Sequence, residues 1–159
     1  MQPMQVEPEL VADYQCVTGE NPLWHEDEGR VYWTDIPTGR LFRYNPANGR
    51  HEQFFKGDVI GGFTIQEDGS LLLFMARGAV KLWRDRRLET LIDEIPQERD
   101  TRFNDVIADP RGRVFCGTMS TVKPKASIIR GCIRGPSKVP LTMLSPPSPA
   151  PNRKVTRLV

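Results

Sequence analysis

Apolar and polar residues alternate along this chain in short runs, and the runs return at a nearly constant interval. Arg30 to Asp35 (RVYWTD) sets Val31 and Trp33 against Tyr32 and Thr34 and is rich in β-branched and aromatic residues, which predicts a half-buried strand. Arg40 to Tyr44 and His51 to Phe55 follow as strands across the turn residues of Thr38-Gly39 and Asn45 to Gly49. Ahead of them, Asp13 to Val17 is expected as a first short strand that feeds a turn cluster at Thr18 to Pro22. Val59 to Ile65, Ser70 to Met75, Ala79 to Trp83 and Leu88 to Ile92 make a second meander. The consecutive large apolar residues inside Ser70 to Met75 predict a strand buried on both faces. Gly61-Gly62 reads as a bend or as a close approach of backbone to a ligand, with the bend favoured because no phosphate-binding motif with a following helix accompanies it.

Three segments superimpose: HEDEGRVYWTD from His25, QEDGSLLLFMA from Gln66 and DPRGRVFCGTM from Asp109. Their turn glycines, Gly29, Gly69 and Gly112, stand 40 and 43 residues apart, the period of a four-stranded propeller blade. No helical periodicity competes, so the fold class is all-β, and specifically a β-propeller.

Composition adds a division. The 159 residues are 38% hydrophobic and 26% charged, the balance of a soluble globular domain. No apolar run is long enough to span a bilayer, and MQPMQVEPEL does not read as a secretory signal, so the expected location is cytoplasmic and no membrane partner is read. The three cysteines, Cys16, Cys116 and Cys132, are far apart and read as reduced thiols. From Thr121 to Val159 there are four Lys, four Arg and no acid, against 14 basic and 20 acidic residues before it. A basic tail on an acidic body, with no aromatic for base stacking, does not describe a nucleic-acid binder. That tail also holds seven of the 14 prolines and is expected to be disordered, either as a frame-altered sequence or as a flexible interaction tail.

Candidate chemistry is sparse. His25-Glu26-Asp27-Glu28-Gly29 has metal-binding composition, but neighbouring residues in a turn point apart, so it reads as a solvated turn. His51 has no ligand partner at useful spacing and reads as a strand surface residue. Glu20 sits beside a turn glycine and before the apolar pair Leu23-Trp24. Arg102 and Asn104 alternate with Phe103, so on a strand both leave one face while Phe103 leaves the other. From the residues alone, this last arrangement is either a ligand site or a strand whose polar groups cap a bend.

Gly19 to Trp24 (GENPLW), RFND from Arg102 and DPRGRVFCGTM from Asp109 resemble, in this order, the senescence-marker-protein/gluconolactonase/luciferin-regenerating family, over roughly Tyr14 to Met119. The resemblance implies a six-bladed propeller with a divalent cation (calcium, zinc or magnesium) in its channel and hydrolysis of a small-molecule sugar lactone. It implies Glu20 as a metal ligand, Asn104 as a metal ligand or substrate contact, and Arg102 as a substrate contact. The family's later Ser-Asn-Gly and Asp-Gly motifs, the second of which supplies the general-base Asp, have no match, so no catalytic base is assigned.

The expected organisation is therefore a loose lead-in at 1–12, a partial propeller at 13–120 and the tail at 121–159. At about 40 residues per blade, the body holds about two and a half blades. The alternative to a lactone hydrolase is a catalytically inactive, truncated propeller or binding remnant. Open blade edges would then expose residues such as Val114 and favour self-association.

Overall fold

The computed structural model describes residues 7–122 and, beyond them, the backbone of two short strands, Cys132–Arg134 and Thr142–Leu144. Every strand pairing is antiparallel. The first four-stranded sheet is β1 (Gly19–His25), β2 (Arg30–Asp35), β3 (Arg40–Asn45) and β4 (Arg50–Lys56), paired in sequence order. The second is β5 (Ile60–Ile65), β6 (Leu71–Met75), β7 (Val80–Arg84) and β8 (Arg87–Ile92). A third blade begins with β9 (Thr101–Ala108) and β10 (Val114–Ser120). These are two full blades and a half, the first strand of each being the innermost. Two three-residue strands, β11 (Cys132–Arg134) and β12 (Thr142–Leu144), form a separate pair. They fall in the stretch expected to lack regular structure; apart from Thr121 and Val122, the rest of that stretch lies outside the described residues. Among the described residues no helix is long and apolar enough to cross a membrane.

The repeated glycine does the same job three times. Gly29, Gly69 and Gly112 have φ of 59°, 78° and 70°, and each closes the hairpin between the first two strands of its blade. Each donates its N–H back three residues, to Glu26, Gln66 and Asp109 respectively. The left-handed conformation costs little without a Cβ, which is why glycine recurs at the period. At the third hairpin Asp109 Oδ1 accepts from the Arg111 and Arg113 N–H groups at 2.9 and 3.0 Å. Its Oδ2 accepts from Arg113 Nε at 2.5 Å.

The start of the first blade differs from the sequence expectation. Asp13 to Val17 is not a strand, and Gly19–His25, expected to begin as a turn cluster, is β1. Pro22 has no N–H for a ladder, but the register slips between Glu20 and Leu23, so Asn21 and Pro22 stand in a bulge. The blade is anchored by buried Asp35. Its Oδ1 accepts from the Thr18 N–H at 2.8 Å, and its Oδ2 accepts from Thr38 Oγ1 at 2.5 Å and Arg40 Nη2 at 2.7 Å. Burial pulls the Asp35 pKa up, but the hydrogen bonds from Thr38 and Arg40 outweigh it and leave the carboxyl below its ordinary range.

The core lies between blades. Tyr32, Leu41 and Phe55 of the first blade close on Phe63, Leu71, Leu73 and Met75 of the second. Leu72, Phe74 and Val80, on the opposite face of the second blade, meet Phe103, Val106, Val114 and Cys116 of the third. Phe74 and Phe103 pack edge to face with centroids 5.3 Å apart. Thus β6 is buried along its whole length, as its unbroken apolar run predicts, because a blade lies against each face. Val114, expected at the open edge, is buried in this second cluster, whereas Ile107, on β9 of the same hairpin, is exposed.

Gly61 and Gly62 are neither a bend nor a ligand cradle. Both lie in β5, and the close approach is to the neighbouring inner strand. A Cβ on Gly61 would stand 1.7 Å from the Phe103 carbonyl oxygen. A Cβ on Gly62 would stand 2.6 Å from Val106 Cγ2 and 2.9 Å from Asn21 Oδ1. Side-chain size, not backbone freedom, selects glycine here.

Gly61→Ala is expected to cost about 3 kcal/mol or more in urea unfolding, because the obstacle is backbone that must move. Gly49→Ala is the control: Gly49 has φ of 70° but nothing within 4 Å of an added Cβ, so only the left-handed penalty of about 1–2 kcal/mol applies. Equal losses at the two positions would contradict the steric reading.

The Asp109 turn sets an acid limit. Its hydrogen bond from Arg113, reinforced by the Arg113 and Arg111 backbone N–H groups, holds the Asp109 pKa at about 2. A depressed carboxyl contributes stability that is complete above the unfolded value, about 4, and lost as the pH falls through about 2. Asp109→Asn is expected to flatten that part of an acid-unfolding curve followed by circular dichroism, and an unchanged curve would remove Asp109 from the acid response.

Candidate functional site

All three inner strands carry the same irregularity. Between Glu20 and Leu23, between Ile60 and Gly62, and between Asn104 and Val106, the inner strand holds one residue more than its partner. The extra position falls at Asn21-Pro22, Gly61 and Asp105, at nearly the same distance before each repeated turn glycine. Asn21 and Asp105 take left-handed φ of 57° and 56°, a conformation Asn and Asp tolerate better than other side-chain-bearing residues. A bulge breaks the alternation of side chains and re-aims them. The residues singled out from the sequence, Glu20, Arg102 and Asn104, flank two of these bulges.

In the first blade, Asn21 Oδ1 accepts the Phe63 backbone N–H at 2.7 Å. The bulge thus projects a side-chain acceptor from one inner strand to the next and seats β1 against β5. Glu20, beside it, is exposed. In the third blade, β9 places Phe103 in the core and leaves Arg102 and Asn104 half-buried on the other face, as the alternation predicts. Arg102 Nη1 donates to the Phe103 carbonyl and to Asn104 Oδ1, both at 2.9 Å. Asn104 Nδ2 donates to Asp105 Oδ2 at 3.0 Å.

The charges converge as well. Partial burial pulls the Arg102 guanidinium pKa down, while the negative charges of Glu20 and Asp105 pull it back up; the net shift is downward. The two motifs, over 80 residues apart in sequence, therefore lie within electrostatic reach of each other. The sequence reading left out Asp105 and Asn21. On a regular strand Asp105 would share the core-facing side with Phe103, and only the bulge turns it back. Their signal was a polar residue at the repeat position of Gly61.

This arrangement can grip an oxygen-rich neutral ligand. It supplies a guanidinium, a carboxamide and two carboxylates around a half-buried patch. It does not fit a divalent cation by itself. Hard cations take several oxygens. Among the described residues no three His, Cys, Asp or Glu side chains gather, and Asn104 Oδ1 already accepts from a positive guanidinium. Among the described residues, the carboxylate of Glu20, the other expected ligand, makes no hydrogen bond or ion pair.

The family model described as SMP-30/Gluconolactonase/LRE-like region matches residues 18–135. Pentonolactonase XacC of Haloferax volcanii is 56% identical over 111 residues, which cover 69% of this chain and 37% of that protein. Regucalcin of Xenopus laevis is 31% identical over 113 residues, 70% of this chain and 38% of that protein. Among solved structures, a calcium-binding protein, regucalcin, from Agrobacterium tumefaciens superposes with a TM-score of 0.67 at 19% identity, over 80% of this chain and 42% of that one; at that identity the likeness speaks for the fold. The chain spans well under half the length of the curated relatives it matches.

Asn21→Ala is expected to destabilise the chain by about 1–3 kcal/mol, since it strands the Phe63 N–H in the blade interface. Hydrogen exchange at Phe63 checks it: exchange should accelerate there more than at β7, and uniform acceleration would mean that Asn21 does not act through this bond.

Proposed function

The chain belongs to the SMP-30/Gluconolactonase/LRE-like family, and we propose that its face bearing Glu20, Arg102 and Asn104 is the substrate-gripping part of a sugar-lactone hydrolase. The observation that carries this reading is the convergence of two distant motifs on one guanidinium, with Arg102 tied to Asn104 at 2.9 Å and within reach of Glu20 and Asp105.

The chemistry is ester hydrolysis. Water adds to the lactone carbonyl carbon, the ring C–O bond breaks, and a hydroxy acid leaves. Negative charge builds on the carbonyl oxygen as water adds, and a fixed, partly desolvated guanidinium is a good donor to it. Arg102 is pre-positioned for that role because its Nη1 bonds hold the fork still. Asn104 offers an amide to the sugar hydroxyls, donating and accepting at one place. Glu20 is the residue of this chain suited to bind a calcium, zinc or magnesium ion, and such an ion would supply Lewis-acid polarisation of the carbonyl. No general base is assigned among these residues.

A second reading, a binding remnant without turnover, is favoured by the donor count: one uncommitted carboxylate does not preorganise a hard cation. A lactone-opening assay with and without added calcium, zinc or magnesium, run beside equilibrium binding, separates the two. The hydrolase reading expects opening above the spontaneous rate, dependent on metal and lowered at least about tenfold by Arg102→Ala and by Glu20→Gln. Binding that Arg102→Ala weakens, without turnover, would support the remnant. Neither binding nor turnover would defeat both.

A further inference from the structure

We infer that Asp105 is a positioning residue for the site, fixing the sense in which the Asn104 carboxamide faces a bound ligand. The argument begins with a contact that a regular strand forbids. Side chains at consecutive strand positions leave opposite faces, yet Asn104 Nδ2 donates to Asp105 Oδ2 at 3.0 Å. The bulge permits it. Asn104 pairs with Gly117 and Val106 pairs with Cys116, so Asp105 has no partner across the ladder. Its φ of 56° brings the exposed carboxylate back toward its neighbour.

The chemistry of the two neighbours then sets the amide. A guanidinium only donates and a carboxylate only accepts. Arg102 Nη1 meets Asn104 Oδ1 and Asp105 Oδ2 meets Asn104 Nδ2. A flipped amide would set N–H against N–H and oxygen against oxygen, losing both bonds at once. Asn104 is left with one N–H and one oxygen lone pair in a fixed sense, the pair of functions that a sugar hydroxyl can answer by accepting and donating together. Arg102 commits both Nη1 protons to Phe103 and Asn104, which leaves Nη2 and Nε to face a ligand. With one Oδ1 lone pair held by the Arg102 guanidinium, Asn104 is set to act as a substrate contact. The statement about substrate rests on the lactone reading above; the clamp does not.

The test is side-chain amide NMR on the ¹⁵N-labelled chain, with the Asn104 Nδ2 pair assigned through Asn104→Asp. Asp105→Gly keeps the left-handed backbone and removes the carboxylate, whereas Asp105→Asn keeps an acceptor oxygen and tolerates the same φ. In the wild-type chain and Asp105→Asn, one Nδ2 proton is expected to be protected from exchange. In Asp105→Gly that protection is lost while backbone amides away from the bulge keep their shifts. Protection that survives in Asp105→Gly, or that disappears equally in Asp105→Asn, would overturn the inference. A sugar δ-lactone is then added to the wild-type chain. Shifts at Arg102 and Asn104 support the oriented contact. Their absence would sink the lactone reading, while the clamp is still judged from the spectra without ligand.

Discussion

Each inner strand holds one residue too many for its ladder, and this surplus is the constraint on which the rest depends. In the first blade it becomes Asn21, whose side chain ties β1 to β5 through the Phe63 N–H. In the second it is Gly61, whose missing side chain lets β5 lie against the Phe103 carbonyl. In the third it is Asp105, which bonds back to Asn104. A bulge in a lone hairpin would cost a ladder bond and return little. In the first two blades the irregularity lies where inner strands meet, and the contacts it enables between blades offset what the ladder loses.

Packing and polarity are divided along the same strands. Residues facing the neighbouring blades are large and apolar, and β6 is apolar throughout because blades lie against both its faces. Asn21, Arg102, Asn104 and Asp105, near the bulges, are held by specific hydrogen bonds and not by burial alone. Arg102 shows the balance: half-buried, its guanidinium is partly desolvated, with the charges of Glu20 and Asp105 offsetting part of that cost, and it is kept still by two Nη1 bonds. A guanidinium that is both partly desolvated and immobile interacts more strongly with a ligand oxygen than one moving freely in water.

The fold was legible where it rested on period and alternation. Gly29, Gly69 and Gly112 announced the blades because glycine takes a left-handed turn position at the least cost, and the apolar run of β6 announced a doubly covered strand. Gly61-Gly62 misled because glycine enters a chain for two unrelated reasons, backbone freedom and lack of bulk, and only the distance to Phe103 shows which applies. Gly19–His25 was misassigned for a related reason. Its Asn-Pro pair has turn chemistry, and a bulge in a strand uses the same chemistry.

The candidate site divides in the same way. The sequence by itself determined that Arg102 and Asn104 share one face of a strand, that Phe103 goes to the core, and that a repeat of about 40 residues brings successive inner strands together. Tertiary structure alone decided that Glu20 lies within reach of Arg102, that Asn21 binds the next blade, and that Asp105 returns to Asn104. The physical reason is that periodicity describes regular backbone. A single surplus residue reverses which face the next side chain takes, and whether a strand accepts that residue as a bulge depends on the strands packed beside it.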